Sequence, residues 1–228
     1  MCLLVACEGI DGSGKGTQSQ LLLNRLQQAG YRAALLQFPR YASTFFGARI
    51  ADFLNGRFGE LWQTHPFLVS LLFAGDRLES RDRLRALMDE NDVLVLDRYV
   101  ASNIAHQSAR CPVEERAEVQ GWIEHLEFDL NKLPRPAIQL LFEISAPQAQ
   151  SLIARKRPRD YTSQTADLQE ADTEYLARVR EVYLALAQQQ TGWGVIPLEV
   201  AGRLRSIEEI AEQVWSTVEP VLLSSRTG

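Results

Sequence analysis

The sequence of 228 residues is poor in the features that mark several protein classes. It has only three cysteines, Cys2, Cys7 and Cys111, an odd number without the paired spacing of a zinc site or a disulfide framework. They read as reduced packing residues of a cytoplasmic protein. It has no excess of positive charge: 24 Lys and Arg stand against 29 Asp and Glu, a net charge of −5. A sequence-independent grip on DNA or RNA needs a basic face, so nucleic acid is not an expected partner. No apolar run approaches the roughly 20 residues that span a bilayer, so no membrane association is expected. The apolar opening Met1–Cys7 lacks a basic flank and a cleavage site and reads as a buried strand. Internal repeats and long linkers are also missing, and one domain over residues 1–228 is expected.

What is present is an alternation of short apolar runs and longer amphipathic segments. That is the rhythm of a parallel sheet covered by helices on both faces, a three-layer α/β fold. The runs predict five strands, at Leu3–Glu8, Arg32–Gln37, Asp92–Leu96, Ile138–Ile144 and Gly194–Leu198. Helices are predicted over Lys15–Ala29, Thr44–Leu54, Pro66–Met88, Val113–Leu126, Ala146–Ala154, Asp172–Gln189 and Ser206–Val221. The strands are apolar throughout rather than alternating, as burial on both faces requires.

The most specific segment is Gly9-Ile10-Asp11-Gly12-Ser13-Gly14-Lys15-Gly16-Thr17, which follows a predicted strand and opens a predicted helix. That is the context a phosphate-binding P-loop requires, and the loop by itself says only that a nucleotide binds; a chance glycine-rich turn between strand and helix is the competing reading. Glycines let successive backbone N–H groups converge on phosphate oxygens, and the helix N-terminus adds a favourable dipole. Lys15 then reaches the β- and γ-phosphates as a point charge. The residue after this lysine is ordinarily Ser or Thr, whose hydroxyl touches Mg²⁺. Here it is Gly16, which cannot ligate a metal, and Thr17 reads as a phosphate contact.

A second strand, Asp92–Leu96, delivers Asp97 and Arg98. In open parallel sheets ligands bind beyond the carboxyl ends of the strands, so this pair and the P-loop are expected to share one phosphate chain. Asp97 suits holding Mg²⁺ through water, and Arg98 suits a bidentate clamp on an acceptor phosphate. A strand-end salt bridge is the competing reading of the pair. A third segment, Arg155-Lys156-Arg157-Pro158-Arg159, packs four cations into five positions and reads as a lid over residues 155–170 that closes on the phosphates. A solvated charge run is the alternative.

Four blocks together carry a family resemblance: Glu8 through Gln18, Phe38-Pro39-Arg40-Tyr41, Leu72-Phe73-Ala74-Gly75-Asp76-Arg77, and Asp97-Arg98-Tyr99-Val100-Ala101-Ser102-Asn103. In order and spacing the chain resembles the thymidylate kinases, P-loop nucleoside-monophosphate kinases. The resemblance implies transfer of the γ-phosphate of ATP to dTMP with Mg²⁺, and a homodimer. It implies that Asp11 reads the 3′-hydroxyl of the acceptor sugar, that Phe73 stacks on thymine and that Arg77 bonds its O4. Phe38, Arg40 and Tyr41 border the acceptor phosphate, and Asn103 lies where a base-edge hydrogen bond is expected. His106 stands where relatives often carry Tyr or Phe near the 2′ face of the sugar. Some members place a catalytic arginine at the position of Gly12. With glycine there, the transition-state arginine is expected from the lid, from Arg155 or Arg159.

The acceptor oxygen is already anionic near neutral pH, so no strong general base is needed and catalysis is mostly positioning and charge stabilisation. Two other readings compete. A deoxynucleoside kinase would use Asp11 as its base. A guanine-nucleotide switch would carry Asn-Lys-x-Asp, of which the chain has only Asn131-Lys132-Leu133-Pro134.

Overall fold

Strand β1 (Leu3–Glu8) is buried along its whole length and forms the centre of a five-stranded sheet. Around it lie β2 (Ala33–Gln37), β3 (Val93–Asp97), β4 (Ile138–Glu143) and β5 (Trp193–Pro197), in the order β2-β3-β1-β4-β5. Every neighbouring pair in this sheet is parallel. The computed structural model describes residues 2–154, 169, 172–200 and 202–226. The basic segment with Arg155 and Arg159 lies outside the described residues.

Helices cover both faces. On one, α1 (Lys15–Gln28) and the terminal α9 (Ile207–Arg226) pack together. On the other, α5 (Val100–Ser108) meets α8 (Thr173–Gln189), which lies on β4 and β5. The core between the layers is aliphatic, from Val5, Leu94, Val95 and Leu140 on the strands to Leu26, Val179 and Val218 on the helices. Among the described residues no helix is long and apolar enough to cross a membrane.

The structure departs from the sequence pattern in five places. The helix expected over Pro66–Met88 is two, α3 (Pro66–Glu79) and α4 (Arg81–Glu90), broken at the buried Ser80. No Gly or Pro marks that break. Helix α5 has no counterpart in the sequence pattern, because all nine of its residues, polar ones included, are buried and it has no solvent-facing side. The Val113–Leu126 helix resolves into a 3₁₀ turn at Val113–Glu115, α6 (Arg116–Glu124) and a π-helical turn at His125–Leu130. A short hairpin, β6 (Glu199–Val200) with β7 (Arg203–Leu204), follows β5. The last helix runs through Pro220 to Arg226 rather than stopping at Val221. The remaining helices, α2 (Phe45–Leu54) and α7 (Ala146–Ile153), lie where the pattern predicts.

Candidate active site

The site forms where chain segments leave adjacent strand ends. In the β1–β3 pair Cys7 stands opposite Asp97. Beyond the strands the backbone stays tied: the Arg98 N–H donates to the Cys7 carbonyl at 3.0 Å, and the Phe38 N–H to the Asp97 carbonyl at 3.0 Å. The P-loop, Asp97–Arg98 and the Phe38–Tyr41 segment therefore emerge side by side, and one cleft is lined by residues from all three.

From the P-loop, Asp11, Gly14, Lys15 and Gly16 line that cleft. Gly12 is positioned by sterics. Its φ is +86°, and a Cβ there would stand 2.3 Å from the carbonyl oxygen of Ala149 on α7. No side chain fits at position 12, so an arginine acting at this end of the cleft must come from another segment. Gly9, Ile10 and Ser13 of the loop are buried, and Thr17 is exposed on the first turn of α1. The Lys15 ammonium is nearly buried, donates to the Ile10 carbonyl at 3.2 Å and lies 3.8 Å from the Asp11 carboxylate.

Gly16 and Asp97 account for one another. A Cβ at position 16 would stand 3.0 Å from Oδ2 of Asp97. The carboxylate thus occupies the space that a side chain at 16 would take, beside Lys15 on the first turn of α1. Among the described residues no cluster of three or more His, Cys, Asp or Glu could hold a metal by itself. A single carboxylate at this position fits a Mg²⁺ whose other ligands are phosphate oxygens and water.

Arg98 has a φ of 67°, unusual for a residue with a side chain and costing roughly 1–2 kcal/mol that the surroundings must offset. Its guanidinium donates to Asp11 Oδ1 at 2.7 Å, to Ser102 Oγ at 3.1 Å and to the Gly9 carbonyl at 3.3 Å. Behind it sits Glu8, fully buried. Its carboxylate accepts from the Tyr99 N–H at 2.8 Å, from the Ser102 hydroxyl at 2.6 Å and from the Tyr183 hydroxyl at 3.0 Å. Burial pushes the Glu8 carboxyl above its usual range, against the opposing pull of Ser102 and Arg98. Burial alone would lower the Arg98 pKa. The carboxylate of Asp11, helped by Tyr183, Asp97 and Glu8, outweighs it, and the guanidinium stays charged.

The far side of the cleft is lined by Phe38, Tyr41, Phe73, Arg77 and His106. Arg77 is not the solvated surface charge that its acidic neighbours suggest. It is buried, and its Nε and Nη2 fork onto Glu127 at 2.5 Å each. Desolvation works against that charge, and Glu127 more than compensates. Two expected contacts stand elsewhere. Asn103 is not among the lining residues; its amide donates to Glu127 at 2.9 Å and to the Ser70 carbonyl at 3.1 Å, one layer behind Arg77. The Arg40 guanidinium does not line the cleft either, and it donates to Ser80 Oγ at 3.2 Å. Its backbone N–H donates to the buried Asp76, which also takes the Thr44 hydroxyl, so Asp76 shapes the Phe38–Tyr41 segment from below.

Residues that the sequence pattern does not single out complete the site: Glu127, Tyr175, Tyr183 and the lining residue Gln169. Glu127 is one of several acidic residues in an apparently solvated helix. It lies on the π-helical turn and is the residue of that turn that is buried.

Residues 7–213 match the thymidylate kinase family model. The thymidylate kinase of Mycobacterium tuberculosis (strain ATCC 25618 / H37Rv) is 35% identical over 192 residues, covering 84% of this chain and 88% of the relative. That of Thermomicrobium roseum is 30% identical over 231 residues, covering 99% of both. The solved structure of a thymidylate kinase from Candida albicans superposes with a TM-score of 0.73 over 96% of this chain and 92% of that one, at 21% identity, a likeness of fold.

Proposed function

The chain belongs to the thymidylate kinase family, and from that membership we propose that the cleft at the ends of β1 and β3 moves the γ-phosphate of ATP onto dTMP to give dTDP. The observation that carries the assignment to this cleft is the pairing of β1 with β3, which sets Lys15 and the Asp97–Arg98 pair side by side.

The residues divide the work by charge and position. Lys15 and the P-loop backbone hold the β- and γ-phosphates of ATP. Asp97 would hold Mg²⁺ through water, and that ion supplies neutralisation of the donor phosphates. Arg98 holds the acceptor phosphate, so that its oxygen faces the γ-phosphorus in line. Asp11 steadies Arg98 and reads the 3′-hydroxyl of the sugar. Phe73 stacks on the base. Arg77 donates to the base edge through Nη1, the donor that Glu127 does not engage. Asn103 acts on the base only through Glu127 and Arg77. An arginine of the basic segment, Arg155 or Arg159, neutralises the charge that spreads on the moving phosphoryl group, an effect worth about 10³–10⁵ in rate in related enzymes. The competing reaction is ATP hydrolysis, which a segment closing over the phosphates suppresses by excluding water.

The test is a steady-state comparison across nucleoside monophosphates and thymidine with Mg·ATP. The highest kcat/KM is expected for dTMP. A higher value for thymidine, or no preference among the monophosphates, would remove the reading.

The assembly is proposed as a homodimer through α3. Leu68 and Leu71, one helical turn apart, are 62% and 38% exposed, and Leu78 continues the stripe at 41%. Light scattering is expected to give the mass of two chains, and Leu68→Asp to reduce it to one. A one-chain mass for the unaltered protein would contradict the assembly.

A further inference from the structure

Beyond the residues that face the ligand, we propose that Tyr175 and His106 form a relay that holds the imidazole in one tautomer and thereby positions Arg98 for the acceptor phosphate. The proposal rests on the reading of Arg98 as the clamp on that phosphate.

The two ends of the imidazole reach different partners. Nε2 lies 3.3 Å from Nη1 of Arg98. A guanidinium only donates, so Nε2 must accept and can carry no proton. At the other end Nδ1 lies 2.9 Å from the Tyr175 hydroxyl, and that hydroxyl donates to the His106 carbonyl at 3.1 Å. A carbonyl only accepts, so the phenol proton goes there, and the phenol oxygen is left to accept from Nδ1–H. Each end therefore independently selects the same neutral form, with the proton on Nδ1. Burial, reinforced by the Arg98 charge, lowers the His106 pKa to about 3, so the ring does not take a second proton near neutral pH.

The consequence for Arg98 is geometric. Nη2 is fixed by Asp11, and Nη1 is shared among Ser102, the Gly9 carbonyl and His106. The other tautomer would aim an N–H at the guanidinium and push it aside. Tyr175 is fully buried and does not line the cleft, so it acts through His106 as a positioning residue. It also stands in the first turn of α8, whose start is capped by Asp172.

Three histidines, His65, His106 and His125, make the tautomer measurable by long-range ¹H–¹⁵N spectra of the histidine-labelled protein. The unaltered chain is expected to show His106 as the Nδ1–H form alone, and Tyr175→Phe, which leaves Arg98 as the one remaining selecting contact, to populate the Nε2–H form alongside it. In the same variant the KM for dTMP should rise about tenfold, the loss expected for one hydrogen bond to a charged group, while the KM for ATP stays within twofold. His106→Gln can still present an amide oxygen to Arg98, whereas the shorter His106→Asn cannot. The glutamine variant is therefore expected to keep a lower KM for dTMP than the asparagine variant. This pair decides the matter if Tyr175→Phe fails to fold. An Nε2–H form in the unaltered chain, or equal KM values for the two His106 variants, overturns the relay. Arg98→Ala separates the two levels. If it leaves the KM for dTMP unchanged, the clamp itself fails and the relay with it. If it raises that KM while the His106 variants do not differ, the relay alone fails.

Discussion

Replacing Lys15 by alanine is expected to lower kcat by about three orders of magnitude while leaving the fold intact. On the proposed reading the lysine supplies a positive charge beside the bond that breaks, in a site that closure over the phosphates would dry. There an electrostatic contact is worth far more than in bulk solvent. The fold should tolerate its loss for two reasons. The loop backbone is shaped by its glycines and by the packing of Gly12 against α7, not by the lysine side chain. Asp11, which lies 3.8 Å from the ammonium, keeps its shorter pair with Arg98 at 2.7 Å, so no carboxylate is orphaned. Turnover measured alongside thermal melting checks both halves. Near-normal turnover would overturn the P-loop assignment.

Arg77→Ala should produce the largest loss of stability among the site residues. The Arg77–Glu127 pair is 2% and 0% exposed, so removing the cation leaves a carboxylate in a dry environment with, among the described residues, only the Asn103 amide hydrogen-bonded to it. Breaking such a pair costs roughly 3–5 kcal/mol. For a chain of this size that corresponds to a fall in Tm of roughly 6–20 °C. Below that temperature the variant should bind dTMP more weakly and ATP almost as before, because Arg77 faces only the acceptor side. Replacing both partners by methionine removes the buried charges together, so most of the stability should return while dTMP binding stays lost. A single variant that melts like the parent would mean the pair is solvated. Equal weakening of ATP and dTMP would remove Arg77 from base recognition.

The legible part of the site was local. The P-loop announced itself because a strand, a glycine-rich turn and a helix follow one another directly, and the chemistry of that unit resides in its own backbone. Asp97 and Arg98 were equally readable, since a strand end in a parallel sheet is a place where ligands bind. Phe73 and Arg77 could be singled out only through resemblance, because a Phe and an Arg on an amphipathic helix are otherwise ordinary core and surface residues. Asn103 and Arg40 show the limit of that route: both belong to the right blocks, yet the packing turns one toward Glu127 and the other toward Ser80.

Helix α5 shows the same limit at the level of secondary structure. Periodicity detects a helix by its contrast between a dry face and a wet one, and a helix buried all round has none. Its Ser102, Asn103 and His106 are buried because they serve Glu8, Glu127 and Arg98 rather than water.

By itself, then, the order of residues determined the alternation of strands and helices, the phosphate loop and the charged strand end, all of which rest on interactions between near neighbours in the chain. Tertiary structure alone decided which buried charge meets which partner. Arg77 finds Glu127 across 50 residues, His106 finds Tyr175 across 69, and Ser102 finds Glu8 across 94. A buried charge or hydroxyl must be satisfied by whatever the packing of distant elements brings within hydrogen-bond reach, and local propensity holds no information about that.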